Sequence, residues 1–191
     1  MKVYKRFNDE VIKILIDGGI GVLPTDTIYG IVGSALNRKT VVRIYKLRRR
    51  SSKKPMIVLI GSVSDLKKFG VKIGVRERKI LNRIWPGKVS VVLSCPSRKF
   101  AYLHRGTKSI AFRLSKPVWL HRLLQKTGPL VAPSANLSGE PPARTIPEAK
   151  KYFGNKVDFY VDKGKLFSQP STLVRFKKDK IIVLRKGAVK I

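Results

Sequence analysis

The stretch Gly18-Gly19-Ile20-Gly21-Val22-Leu23-Pro24-Thr25-Asp26-Thr27-Ile28-Tyr29-Gly30 changes character twice. Its glycines stop a preceding helix, and Ile20 to Leu23 is an apolar run of strand length. After Pro24 the chain turns abruptly into hydroxyls, one acid and glycine. A strand that ends this way presents hydrogen-bonding groups at its tip. The same signature recurs in Pro129-Leu130-Val131-Ala132-Pro133-Ser134-Ala135-Asn136-Leu137-Ser138-Gly139. Neither segment holds a thiol or an imidazole. The site they suggest binds and positions, and the chemistry lies largely in what it binds.

Working outward, Asn8 caps a predicted helix running to Asp17, with Val11, Ile12, Leu15 and Ile16 on its apolar side. A second helix begins near Asn37 and carries Val41, Ile44, Tyr45 and Arg48 at helical spacing. Met56 to Ile60 reads as a buried strand. Short helices follow over 64–69 and 76–85, strands over 89–93 and 109–114, and a helix over 118–126. Leu130 to Ala132 is a strand, 147–153 a helix, and 158–161, 172–176 and 181–184 are closing strands. The alternation predicts one α/β domain over residues 1–191 with a mixed sheet. The stretches 48–55 and 138–147 read as mobile walls of the site.

Composition narrows the partners. Against 42 Lys and Arg stand 11 Asp and Glu, a formal net charge of +31. Between Thr27 and Gly139 the only acids are Asp65 and Glu77. Such an imbalance repels itself and points to anionic substrates or a polyanionic partner such as RNA. A single cysteine, Cys95, excludes an internal disulfide framework and fits a reducing compartment. The N-terminal residues show no apolar signal region, and no apolar run is long enough to span a bilayer. A cytoplasmic protein without membrane association is expected.

The basic stretch Arg38 to Lys54 ends in Arg48-Arg49-Arg50 before a buried strand, where Arg48 and Arg50 can converge on phosphate or carboxylate oxygens. Arg113 lies inside the apolar strand Ile110-Ala111-Phe112-Arg113-Leu114, and Arg185 follows the last strand. An unpaired charge at either position would be costly. Ser134 and Asn136 form a Ser-x-Asn turn. Asp26 is read as serving its own turn, because one carboxylate without a second acid or a histidine does not make a dedicated metal site. His104 and His121 are read as ordinary surface or helix residues, and Trp85 and Trp119 as core. No Walker or Rossmann glycine loop is present.

These pieces, in this order, resemble the YrdC family. The similarity runs from Gly18-Gly19-Ile20 into Pro24-Thr25-Asp26-Thr27-Ile28-Tyr29-Gly30, then from Ile44-Tyr45 to Lys54-Pro55 and to Trp85-Pro86-Gly87. It continues through Ala111-Phe112-Arg113, the segment Ala132 to Gly139, Pro170-Ser171-Thr172 and Leu184-Arg185-Lys186-Gly187-Ala188. The resemblance implies a twisted mixed parallel and antiparallel sheet with flanking helices around a basic cavity. It implies formation of threonylcarbamoyl-AMP and pyrophosphate from L-threonine, bicarbonate and ATP, with Mg²⁺ arriving on ATP. It further implies a downstream enzyme that transfers the threonylcarbamoyl group to tRNA, and contact with tRNA or double-stranded RNA.

By motif position, the resemblance puts Arg48 and Arg50 where the family has Lys-x-Arg, at threonine's carboxylate or the ATP phosphates. It puts Ser134 and Asn136 at the phosphates and carbamate, and Thr27 and Tyr29 against threonine and nucleotide. Arg113, Ser171 and Arg185 complete the nucleotide pocket. Arg48 replaces the usual Lys, Lys88 and Ser90 depart from Trp-Pro-Gly-Pro with a following Thr, and Arg144 falls where Ser-Pro-Thr is frequent. The extra charge of Lys88 and Arg144 is expected near the cavity. A rival reading, resting on the +31 charge, is a non-catalytic RNA-binding module on the same fold.

Overall fold

The computed structural model describes residues 2–51, 55–177 and 180–191. Ser52, Lys53 and Lys54, part of the basic stretch quoted above, lie outside the described residues. Strand β1 (Lys2–Tyr4) leads to α1 (Asp9–Ile16), whose first turn is closed by the Asn8 side chain accepting from the Val11 amide at 3.0 Å. Gly18, at φ 87°, ends that turn and sends the chain into β2 (Gly21–Pro24). The chain then folds straight back as β3 (Tyr29–Ser34). The first motif is therefore the turn of a hairpin, and a strand begins where the sequence reading still saw the motif.

Helix α2 (Arg38–Leu47) is capped by the Asn37 side chain, which accepts from the Lys39 and Thr40 amides. After it come β4 (Ile57–Ile60), a 3-10 turn over Val63–Phe69, α3 (Val75–Ile84), β5 (Val89–Ser94) and the short α4 (Ala101–His104). Then follow β6 (Ser109–Leu114), α5 (Val118–Thr127), β7 (Leu130–Val131) and α6 (Ile146–Phe153). The chain closes with β8 (Phe159–Val161), β9 (Thr172–Lys177) and β10 (Lys180–Arg185).

The strands form one sheet in the order β1-β8-β2-β3-β7-β4-β6-β5-β9-β10. Pairs β1–β8, β2–β8, β4–β6 and β5–β9 are parallel, and the others antiparallel. Successive residues alternate between two cores. Leu23, Val32 and Leu59 pack with α1 and α5 through Leu15, Leu120 and Leu124. Val22, Ile31 and Val58 pack on the other side with Val41 and Ile44 of α2 and Phe153 of α6. Further along, half-buried Ile57, Ala111, Val92 and Leu173 floor an open cavity, whereas their neighbours Val58, Phe112, Val91 and Val174 are buried. That uncovered stretch of sheet is where the site lies.

Candidate active site

Local backbone chemistry aims the first arginine pair. Helix α2 ends with the Arg49 amide bonded to the Lys46 carbonyl and the Arg50 amide reaching back to the Tyr45 carbonyl, both at 3.1 Å. Arg49 sits between them at φ 47°. This is a Schellman end with arginine in the left-handed position that glycine usually takes. It leaves Arg49 exposed while Arg48 and Arg50 both line the cavity of about 330 Å³.

Arg48 is only 2% exposed. Its Nε donates to the Asn136 carbonyl at 3.1 Å, and its Nη2 to Asn136 Oδ1 at 3.0 Å and Ser134 Oγ at 3.2 Å. Its Nη1 is buried without a hydrogen-bond partner. Among the described residues no carboxylate pairs with it. Burial, with Arg50 nearby, pulls its pKa down to about 10.

The second motif follows β7 and is laid against the first. Ser134 bridges Gly30, and the Ala135 amide donates to the Tyr29 carbonyl at 2.9 Å. Ser134 thereby lines both this cavity and an adjoining one of about 60 Å³, as do Ile57 and Arg185. The smaller cavity adds Thr27, Tyr29, Arg113 and Ser171. Eight of the nine residues singled out in the sequence therefore converge on two joined cavities that, among the described residues, no Asp or Glu lines.

Asn136 lines neither. Its Oδ1 holds Arg48, and its Nδ2 donates to the Leu137 and Glu140 carbonyls at 2.8 and 2.6 Å. The amide is fully engaged in fixing the guanidinium. Tyr29 is fully buried in the core beside the smaller cavity, and its hydroxyl donates to the Gly164 carbonyl at 2.7 Å and accepts from the Lys163 amide at 3.0 Å. Ser171 shares a hydrogen bond with Ser90 at 2.8 Å, and its carbonyl accepts from Arg185 Nη2 at 2.8 Å.

Asp26 does more than serve its turn. Its Oδ1 is 3.1 Å from Arg113 Nη2, with both side chains at most 4% exposed, and accepts from Ser115 Oγ at 3.2 Å. Arg113 Nε donates to the same Ser115 hydroxyl at 3.3 Å. This buried pair ties the hairpin turn to the end of β6 and keeps Arg113 charged against the desolvation that lowers its pKa. The turn's own groups are satisfied by Thr25, whose hydroxyl donates to the Ile28 carbonyl and accepts from the Thr27 amide.

Other expectations shift. The segment 138–147 is not a wall of either cavity. It is pinned by Ser138 to the Arg48 carbonyl, Ala143 to the Ala135 carbonyl, and Arg144 to the Leu166 amide. Lys88 and Arg144 line neither cavity, and Lys88 instead reaches Ser168 at 3.4 Å. His104 is the helix residue expected, closing α4, and is buried, held by Ser97 and Gly106. Trp85 is core, and Trp119 stacks on Phe7. The sequence reading did not pick out Ile57, Thr107, Ser109 and Ala111, which line the larger cavity. Ile57, Ser109 and Ala111 fall on the open face of strands otherwise patterned for burial, which is their one signal, and Thr107, in the turn before β6, has none.

A family model for the Sua5, YciO and YrdC domain, described as "Telomere recombination", matches residues 13–187. The chain belongs to this family. It is 30% identical over 200 residues to a putative threonylcarbamoyl-AMP synthase of Methanocaldococcus jannaschii, covering all of this chain and 94% of the relative. It is 28% identical to the threonylcarbamoyl-AMP synthase of Bacillus subtilis, covering 92% of this chain but 52% of that protein. The crystal structure of P. abyssi Sua5 complexed with L-threonine superposes with a TM-score of 0.84 at 25% identity, covering 98% of this chain and 58% of Sua5.

Proposed function

We propose that this chain is an L-threonylcarbamoyladenylate synthase, a nucleotidyltransferase that supplies threonylcarbamoyl-AMP for tRNA modification. The observation that carries the reading is the buried Arg48, with no carboxylate partner among the described residues and an unpartnered Nη1, beside a cavity shared with Arg50 and Arg185. A fold that buries such a cation gains from an anion placed against it. The naming of the relatives as synthases supplies the substrates.

The chemistry suits these residues. Threonine's amine adds to carbon dioxide, in equilibrium with bicarbonate, and after loss of the ammonium proton leaves a carbamate anion. A carbamate oxygen attacks the α-phosphorus of ATP, the bond to the β,γ-unit breaks, and pyrophosphate leaves. The nucleophile is already an anion and needs no general base. The protein's task is to bring anions together and hold the charge that shifts onto pyrophosphate. In this reading Arg48 and Arg50 hold the threonine carboxylate or the phosphates, with Asn136 positioning Arg48. Ser134, at the junction of the two cavities, faces the reacting groups. Thr27, Tyr29, Arg113, Ser171 and Arg185 surround the rest of the substrates.

Magnesium enters with ATP as part of the substrate. Hydroxyls and arginines line the joined cavities, groups suited to hold the phosphates on which the ion would arrive. Among the described residues no helix is long and apolar enough to cross a membrane, and we place the protein in the cytoplasm beside its tRNA-modifying partner.

A non-catalytic RNA module is the weaker reading, since it gives no reason to bury Arg48 against a cavity. The deciding assay is pyrophosphate release with ATP, Mg²⁺ and bicarbonate, with and without L-threonine. Threonine- and bicarbonate-dependent release with an adenylate product by mass spectrometry is expected. Folded protein that releases none, or that prefers serine or glycine, would overturn the assignment.

A further inference from the structure

Asp26 takes no part in the proposed chemistry, yet it is buried in a turn that walls the smaller cavity. It stands between Thr25 and Thr27 where β2 turns into β3, and both threonines line that cavity while Asp26 lines neither. Its side chain is 3% exposed and meets the end of β6 instead. There Ala111, Arg113 and Ser115 follow at two-residue spacing, the period of one strand face. Ala111 lines the larger cavity, Arg113 lines the smaller one, and Ser115 is fully buried just beyond the strand.

The three polar side chains close a triangle. Arg113 Nη2 lies 3.1 Å from Asp26 Oδ1, and Arg113 Nε donates to Ser115 Oγ at 3.3 Å. Ser115 Oγ in turn donates to the same Asp26 oxygen at 3.2 Å. Two of the three guanidinium nitrogens are thereby held, which fixes the plane of a rigid, forked group. The third, Nη1, has no hydrogen-bond partner among the described residues. Because Arg113 lines the cavity, Nη1 is the nitrogen left for a ligand there.

Stability does not account for this arrangement. Burying an ion pair costs desolvation that the attraction repays only in part, and an apolar pair of like volume often serves a fold as well. The other carboxylate oxygen, Oδ2, is also buried without a hydrogen-bond partner, a further cost. What the carboxylate provides is a counter-charge. Arg185 lines the same small cavity as Arg113. Burial lowers the Arg113 pKa, Asp26 counters the lowering, and Arg185 adds to it. Without Asp26, two like charges would face one small cavity, one of them almost wholly desolvated.

We infer that Asp26 and Ser115 are positioning residues of the reaction, holding Arg113 in one orientation towards the substrates while Asp26 offsets its charge beside Arg185. The inference rests on the synthase reading and gives the acid of the first motif a task in it. Neither residue lines a cavity, so both act through Arg113. That dependence is what the test reads.

The test is a double-variant cycle on the whole chain: Asp26→Asn, Arg113→Met and the two combined. Asparagine keeps the size and one acceptor oxygen and removes the charge. Each protein is measured for kcat of threonine-dependent pyrophosphate release, for Mg-ATP affinity without threonine by calorimetry, and for melting temperature. Asp26→Asn is expected to lower kcat about 100-fold, the scale set by a misplaced group near the reacting atoms. It should also bind Mg-ATP more tightly than the wild type, because phosphate now answers the uncompensated Arg113 charge. Arg113→Met should lose both kcat and Mg-ATP affinity. In the combined variant, loss of Asp26 should add less than about twofold to the effect of Arg113→Met. Ser115→Ala keeps both charges and removes one hold, so kcat should fall about tenfold with Mg-ATP affinity unchanged. If Asp26→Asn does not fold, the same cycle run with Ser115→Ala against Arg113→Met decides the question.

Effects of Asp26→Asn and Arg113→Met that multiply in the combined variant would overturn the inference, since the acid would then act elsewhere. So would an Asp26→Asn protein that melts lower but turns over and binds Mg-ATP like the wild type, which would reduce the triangle to a tie between elements. Wild-type protein that releases no pyrophosphate would sink the synthase reading, and Mg-ATP affinity is then read alone. In that case tighter binding in Asp26→Asn supports the hold of Asp26 on Arg113, and unchanged binding overturns it.

Discussion

At the scale of single residues, the energetics turn on Arg48, whose guanidinium is 2% exposed and faces no carboxylate among the described residues. Its pKa, pulled below the usual arginine range to about 10, means that the folded chain binds this proton more weakly than the unfolded one. The charged side chain therefore costs the fold stability at every pH below about 10, roughly 3 kcal/mol at 1.36 kcal/mol per pKa unit. That cost is relieved as pH rises through about 10 towards the ordinary arginine range. At neutral pH a bound anion relieves it instead. Arg48→Met, which keeps much of the volume and removes the charge, should melt no lower than the wild type without ligand. Pyrophosphate or Mg-ATP should raise the melting temperature of the wild type and leave that of the variant nearly fixed. A wild type that pyrophosphate does not stabilise, or a variant that still responds, would contradict this account. The arginines were legible in the sequence because Arg48 and Arg50 end a basic stretch before a buried strand, Arg113 interrupts an apolar strand and Arg185 follows the last one. The partner of Arg113 was not, since Asp26 meets it only when a hairpin turn is folded against the end of β6.

Among the elements, the helices were legible because side chains or glycines mark their ends. Asn8 caps α1 as read, Asn37 caps the helix expected to begin near it, and Gly128 stops α5. The strand β3 was hidden because two glycines interrupt its apolar run and because its first residues carry the site motif. Those glycines answer to packing rather than to strand propensity. A Cβ on Gly33 would lie 2.4 Å from Thr40 Cγ2 and 3.2 Å from the Gly19 carbonyl, so α2 reaches the sheet only because the side chain is absent. Thr40 is itself held, its hydroxyl donating to the Gly18 carbonyl at 2.7 Å. Gly33→Ala should therefore destabilise the chain by about 1–3 kcal/mol, through overpacking in a region with little room to shift. Because α2 carries Arg48 and Arg50 at its C-terminal end, threonine-dependent turnover should fall even at temperatures where the variant is folded. Urea unfolding paired with the pyrophosphate assay checks both halves, and an unperturbed Gly33→Ala would mean that α2 can move away at little cost. Strand β1 escaped for a simpler reason. Three residues at the sheet margin, paired only with β8, are too few to show a period.

For the whole molecule, the governing quantity is the excess of 42 basic over 11 acidic residues. Part of that excess lies where its position is informative, in four arginines around the joined cavities. The rest was visible in the sequence as a number but not as a shape, because only the fold decides which cations face one another across a depression. Crowding like charges over one small surface opposes compaction, and the few ion pairs present cannot offset it. Lys2–Glu10, Lys5–Asp162 and Lys126–Asp9 are exposed pairs of the kind that contributes little. Mutual repulsion should therefore outweigh screened attraction in the response to salt. Raising sodium chloride from about 20 mM to about 500 mM, which shortens the Debye length from roughly 20 Å to about 4 Å, should raise the melting temperature of the ligand-free chain. A protein held mainly by surface salt bridges would respond in the opposite direction. Sulfate at matched ionic strength should stabilise more than chloride, because a divalent anion can also occupy arginine-lined sites. If Arg48→Met removes only that additional increment and keeps the chloride response, the general repulsion and the specific anion site are separated in one experiment.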